Sequence, residues 1–168
     1  MLFRSSYKGQ VGKIAPNLLN RNFTATRPNQ KWVTDVTEFK VLGKRIYLSP
    51  ILDLFNGEVV SYSLAGSPSF ASTIEMLKKA FHCLPEKVNL ILHSDQGWQY
   101  QMKPYQRLLA EKGIQQSMSR KGNCYDNAVI ENFFGLLKSE FFDKRTFPSV
   151  DAFQNELVDY LEYYNNDR

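Results

Sequence analysis

Three acidic residues have the types and settings to do chemistry: Asp35 in KWVTDVTEF, Asp95 in LILHSDQGWQY and Glu131 in DNAVIENFFGLLKSE. The first two sit in runs that read as buried strands, where an unpartnered carboxylate is costly. The third sits on a predicted helix and is followed two turns later by Lys138. Hard divalent cations take oxygen ligands, so three carboxylates gathered in one place would build a cation site. Each also has a bland explanation: Asp35 as a solvent-facing edge residue, Asp95 as a turn cap ahead of Gly97, Glu131 as part of a solvated helix face. Asp126 competes for the third position, although its place just before Asn127 and Ala128 reads as an N-cap or first-turn acid.

The elements that must position these residues follow from periodicity. Residues 31–41 are rich in β-branched and aromatic types and read as a strand. A turn at Leu42-Gly43-Lys44 leads to a second strand over 45–55, in which Pro50 predicts a bulge or interruption because proline cannot donate to a ladder. Asn56-Gly57 is a strong hairpin signal, and 58–66 reads as a third strand. Tight turns make these three antiparallel. Phe70, Ile74, Leu77, Phe81 and Leu84 then recur at helical spacing. A short strand ends at Asp95, a helix stops at Gly113, and IQQSMS forms a last strand, parallel to its predecessor because a helix connects them. The loop RKGNCYDN precedes a helix from Asn127 to Phe142, and a final helix starts near Val150. On the helix carrying Glu131, the positions of Glu131, Gly135 and Lys138 share one face. Lys138 lies about 10 Å along the axis from Glu131, suited to gripping one polyanion at two points.

The 168 residues are 43% hydrophobic, enough for one domain with a core. No run reaches the roughly 18 apolar residues of a membrane span. The two cysteines, Cys83 and Cys124, have no metal-ligand or disulfide spacing and suit a reducing cytoplasm. Before Asp35 there is no acid, but there are Arg4, Lys8, Lys13, Arg21, Arg27 and Lys31, leaving a net −2 for the rest of a chain whose charge is +4. Residues 1–30 therefore read as a basic, mostly irregular arm with a short helix around Asn17 to Asn20, and 31–168 as the folded core. A basic arm on a near-neutral domain suits a polyanion, and a solubilising linker is the alternative. Asp53 reads as a structural acid, Trp32 as core, and His93 as either packing or a supporter of Asp95, whose strand face it shares.

Four ordered motifs carry a resemblance: W-V-T-D-V-T at Trp32 to Thr37, H-S-D-Q-G-W-Q-Y at His93 to Tyr100, S-x-x-G-N-x-x-D-N-A at Ser119 to Ala128, and E-N-F-F-G-L-L-K at Glu131 to Lys138. Thirty-five residues separate Asp95 from Glu131. The chain resembles the DDE transposases and retroviral-type integrases, specifically the second-frame product of bacterial insertion sequences of the insertion-sequence-three family. The β-β-β-α-β-α-β-α-α order is similarly that of the ribonuclease H-like α/β fold, a mixed five-stranded sheet flanked by helices. The resemblance implies that Asp35, Asp95 and Glu131 bind two Mg2+ ions, with Mn2+ as a substitute. They would cut DNA with water and join it with a DNA 3′-hydroxyl, without a covalent protein–DNA intermediate. It implies that Lys138 is the family's basic residue that contacts DNA near the cut. Arg120 and Lys121, ahead of the catalytic helix, are expected phosphate contacts. Transposon ends and target DNA are the expected partners, with a homo-oligomer as the assembly and the bacterial nucleoid as the location. Family members also carry a helix-turn-helix region before the core and continue past a Y-N-x-x-R motif. Here Tyr164-Asn165-Asn166-Asp167-Arg168 ends the chain, which reads as a core truncated at its C-terminus. Two alternatives stay open: a catalytically inactive remnant that binds DNA or multimerises, and a ribonuclease H-like nuclease acting on RNA–DNA hybrids.

Overall fold

The computed structural model describes residues 13–167. Arg4 and Lys8 of the basic arm, and the Arg168 that closes the Y-N-x-x-R match, lie outside the described residues. Six strands form one sheet: β1 (Lys31–Thr34), β2 (Thr37–Val41), β3 (Lys44–Asp53), β4 (Val59–Ala65), β5 (Leu90–Ser94) and β6 (Ile114–Met118). Four helices accompany them: α1 (Phe70–Phe81), α2 (Lys103–Lys112), α3 (Ala128–Leu137) and α4 (Val150–Asn166). The sequence predicts five strands, and the sixth has a local cause. β1 pairs Thr34 with Ile51, and β2 pairs Thr37 with Leu48, on one unbroken antiparallel register along β3. Asp35 therefore falls opposite Pro50, which has no N–H to offer. One predicted strand becomes two, and the break lies at the candidate catalytic residue.

The opposite edge of β3 carries β4, with a register shift at Ile51/Leu52 that leaves Val60 as the extra residue of a bulge. β1 runs parallel to β5, and β5 parallel to β6. The long strand β3 thus has β4 on one side, and on the other β1 and β2 end to end, with β5 and β6 beyond. The turn between β2 and β3 has Leu42 and Gly43 both at positive φ, 51° and 79°, as a two-residue type I′ hairpin demands.

Side chains alternate between two cores. Trp32, Ile51, Leu90 and Leu92 pack with Met76, Leu77 and Tyr105 of α1 and α2. Val33, Leu48 and Leu52 pack with Ile130, Phe133, Leu157 and Leu161 of α3 and α4 on the other face. After α3 the chain widens into a π-type turn over Lys138–Phe142, closed by an N–H from Asp143 to the carbonyl of Lys138 at 2.7 Å. Phe141 and Phe142 both reach Phe153 of α4, at 6.1 and 6.0 Å between centroids, and Phe147 meets it edge-on at 5.0 Å. Burying such a ring contributes about 1.5–3 kcal/mol, so this cluster anchors the end of the helix that carries Glu131 and Lys138. The Y-N-x-x-R match also has a structural task. The Asn165 amide accepts the Val59 N–H at 2.8 Å and donates to the Val59 carbonyl at 3.0 Å, replacing a strand partner beside the bulge.

Residues 13–30 contain no helix or strand, as expected of the arm, but they are not detached from the core. Leu19 is 3% exposed, and the Leu18 N–H donates to Ser117 Oγ at 2.8 Å. The Met118 N–H donates to the Pro16 carbonyl at 3.1 Å. The short helix expected around Asn17 to Asn20 is instead a turn. Asn20 and Arg21 adopt positive φ, 50° and 62°, which no right-handed helix accommodates. Asp53 is structural: its oxygens accept the N–H groups of Phe55 and Asn29 at 2.9 and 2.8 Å.

Candidate active site

Strand alternation sets the direction of the first two acids. Val33 faces α3 and α4, so Asp35, two residues on, belongs to that side. His93 of β5 contacts the segment leading into α3, and Asp95 shares its parity. Because β1 and β5 are adjacent and parallel, their carboxyl ends deliver Asp35 and Asp95 together. Each carboxylate has one oxygen accepting a nearby backbone N–H: Val36 to Asp35 Oδ1 and Gly97 to Asp95 Oδ1, both at 2.8 Å.

The electrostatics record the proximity. Burial first, and then the charge of Asp95, push the Asp35 carboxyl up to about 7, with Glu131 adding a smaller push in the same direction. Burial likewise raises Asp95 above the usual carboxylate range. The buried Tyr100 hydroxyl is raised by burial and then by the charges of Asp35 and Asp95. Two neighbouring buried carboxylates, one raised further by the charge of the other and neither in a salt bridge among the described residues, mark a place where a cation would be favourable.

Glu131 lies in the first turn of α3 and is exposed. It is near enough to raise Asp35, yet among the described residues no three His, Cys, Asp or Glu side chains converge as a ready cation cage. The pair Asp35–Asp95 is brought together, and Glu131 stands off.

Asp126 is withdrawn from the competition. Its side chain is 0% exposed. Oδ1 accepts Arg21 Nε–H at 3.0 Å and an Arg120 Nη2–H at 2.9 Å. Oδ2 accepts the Arg120 backbone N–H at 2.9 Å and its Nε–H at 3.0 Å. Four donors saturate the carboxylate, and hydrogen bonds from Arg120 hold it well below the usual carboxylate range. The N-cap role expected from the sequence goes to Asn123 in the short turn before α3, whose side chain accepts the Tyr125 N–H. His93 belongs to the same assembly. Ser117 Oγ already accepts from Leu18, so its hydroxyl donates to His93 Nδ1 at 2.7 Å, and Nε2–H donates to the Asp126 carbonyl at 2.9 Å. Burial lowers the imidazole pKa, consistent with this neutral tautomer. Arm, β6, β5 and the loop that leads into α3 are thereby joined in one chain of bonds.

Asp126→Asn should lower stability by about 1–3 kcal/mol, because an amide cannot accept from four donors. Urea unfolding at pH 7 measures this. The carboxylate's contribution is complete above pH 4 and is lost only as pH falls through its depressed folded pKa. The difference from wild type should therefore persist at pH 4.5.

The expected DNA contacts have different settings. Lys138 Nζ lies 5.6 Å from the centroid of the Phe39 ring, a cation–π geometry. Arg120 commits two N–H donors of its guanidinium, Nε and Nη2, to Asp126 while its side chain remains 54% exposed. Lys121 is exposed at the turn beside Gly122, which has φ 71°.

A mixed sheet covered on both faces, with acids at the ends of neighbouring strands, is a ribonuclease H-like catalytic core. The family model described as Integrase core domain matches residues 25–124, and a second of the same description matches 131–168; the chain belongs to the integrase core domain family. It is 56% identical over 163 residues to the putative transposase InsK for insertion sequence element IS150 of Escherichia coli (strain K12), covering 97% of this chain and 58% of that protein. It is 54% identical to an uncharacterized transposase-like protein of Haemophilus influenzae, covering 97% of this chain and 75% of the relative. The chain thus spans little more than half of the first relative's length. The solved HTLV-2 integrase catalytic core domain in complex with magnesium (dimeric form) shares the fold, with a TM-score of 0.62 and 21% identity over 85% of this chain and 90% of that one.

Proposed function

We propose that this chain is the catalytic core of a transposase that cuts and rejoins DNA by phosphoryl transfer, with Asp35, Asp95 and Glu131 holding two Mg2+ ions. The observation that carries the reading is the Asp35–Asp95 pair at adjacent strand ends, both raised by burial, with the charges of Asp95 and then Glu131 adding to the cost of ionising Asp35. Two features of the donor set fit such a cation. All three side chains are hard oxygen donors, and a methyl at Gly97 would lie 2.9 Å from both Asp95 Oδ1 and Gln99 Oε1, so two oxygens converge on one small space. Bound there, the ions would lower the pKa of the attacking hydroxyl and offset charge on the departing oxygen.

The protein's own groups supply position. The ends of β1 and β5 hold Asp35 and Asp95, and the first turn of α3 carries Glu131. Lys138, two turns along α3, and Lys121 in the preceding loop would grip backbone phosphates. Arg120 would add its exposed N–H groups while its fork keeps the loop in register through Asp126. Transposon ends and target DNA are the partners on this reading, in a homo-oligomer, within the bacterial cytoplasm. No helix among the described residues is long and apolar enough to cross a membrane.

The test is a strand-cleavage assay on duplexes carrying the terminal repeats that flank the gene, with and without Mg2+, beside an RNA–DNA hybrid of equal length. Cation-dependent nicking at the repeat end is expected. Salt-sensitive binding without nicking would reduce the chain to a DNA-binding remnant, and preference for the hybrid would make it a ribonuclease.

A further inference from the structure

Gln99 is the polar side chain beside Asp95 for which the fold provides no partner. It is 5% exposed, and its Oε1 is buried without a hydrogen-bond donor. A buried acceptor left unsatisfied is rare, and it asks for an explanation. Its backbone is held firmly by its neighbours. Gln99 lies in a short 3-10 turn over Trp98–Gln101. Trp98 rests against Phe70 of α1, with centroids 6.3 Å apart. Tyr100 is 1% exposed and meets Tyr105 edge-on at 5.5 Å. No hydrogen bond fixes Oε1, so its position is set by the packing of the turn around it.

Its aim is defined by Gly97. A Cβ at that glycine would stand 2.9 Å from Gln99 Oε1 and 2.9 Å from Asp95 Oδ1, so the two oxygens are at most twice that distance apart. Asp95 Oδ1 accepts the Gly97 N–H; Gln99 Oε1 accepts nothing. A group that arrives only when the site is loaded would supply the missing donor. Mg2+ gives up its waters reluctantly and usually keeps several of them, and each bound water carries acidic hydrogens that need an acceptor. A neutral amide oxygen suits that task beside Asp35 and Asp95, because a further acid would deepen the repulsion already present between them.

We propose that Gln99 is a positioning residue of the cation site, accepting through Oε1 a hydrogen bond from water bound to a divalent cation held by Asp95. The inference rests on the reading of Asp95 as a cation ligand and extends it to a residue outside the three carboxylates. It gives the second glutamine of H-S-D-Q-G-W-Q-Y an atom-level role.

The test is Mn2+ binding to the full chain without DNA, followed by titration calorimetry, paired with thermal melts in EDTA. Gln99→Met removes the acceptor at nearly constant volume. It is expected to bind Mn2+ about tenfold more weakly, the scale found for outer-shell partners of metal ligands, yet to melt about 2–4 °C higher in EDTA because an orphaned buried oxygen is gone. A residue that merely holds the fold together would lower the melting temperature instead. Wild-type affinity in Gln99→Met or a lower melting temperature in EDTA would each overturn the proposal. Asp95→Asn separates the two levels: if it abolishes binding while Gln99→Met does not weaken it, only the role of Gln99 fails. If Asp95→Asn binds as wild type, the cation site itself fails, and this inference with it.

Discussion

Asp95→Asn and Glu131→Gln should each lower Mg2+-dependent strand cleavage by at least about 10³-fold, a loss of about 4 kcal/mol in transition-state stabilisation. Both changes keep shape and size while removing a negative oxygen donor, so the loss would fall on the cation and not on the fold. Glu131 is exposed at the start of α3, and no packing depends on its charge. Asp95 Oδ1 accepts the Gly97 N–H, which an asparagine carbonyl oxygen can also do. DNA affinity in EDTA should therefore stay near wild type and the melting temperature should not fall; Asp95→Asn, which removes a charge that burial penalises, should melt somewhat higher at pH 8. Cleavage at the wild-type rate by either variant would remove that residue from the chemistry. A variant that lost activity together with its melting transition would point to folding instead.

The second large effect is expected to grow with pH and to narrow or invert when Mg2+ is added. Asp35 titrates near 7 in the metal-free protein, against 3.8 for an unperturbed aspartate, because of burial and then Asp95. Between about pH 4 and 7 the folded state therefore binds more protons than the unfolded chain. Stability falls as pH rises through that window, and the full cost of the buried charge is present above it. Asp35→Asn removes that cost. It should melt higher than wild type at pH 8 in EDTA, and the advantage should fade as pH falls toward 4. With Mg2+ present at pH 8 the order should narrow or invert, because wild type regains stability from the cation and the variant does not. Cation binding must also displace the proton, so Mg2+ affinity should weaken as pH drops below 7. Equal melting of the two proteins at pH 8 in EDTA would mean that Asp35 carries no such cost. Strand cleavage by Asp35→Asn should be lost at every pH.

Much of this was legible from neighbouring residues. The turn at Leu42-Gly43, the hairpin at Asn56-Gly57 and the helix stop at Gly113 are set by backbone freedom at single positions. Pro50 predicted an interruption of its own strand, yet β3 runs unbroken over Lys44–Asp53 and the partner strand breaks instead. Where that break would fall was not legible, since opposing Asp35 depends on the register between β1/β2 and β3. Asp126 shows the same limit more sharply. Read locally it is a helix-start acid, but its partner Arg21 is 105 residues away, and no spacing rule reaches that far. Gln99 belonged to a motif without a task, because being an unpartnered acceptor is a property of surroundings and not of residue type.

The order of elements, apart from the split of β1 and β2, the three acids with their 35-residue gap, and the family all follow from residue identity and short-range spacing. Only the tertiary structure decided that the arm docks on β6 through Leu18 and Ser117, that Asp126 is consumed by Arg21 and Arg120, and that Asp35 and Asp95 meet while Glu131 stands apart. These are contacts between residues distant in the chain. They form only when parallel pairing of β1 with β5 and packing of α3 across the sheet bring those residues together, at separations where burial and charge act strongly.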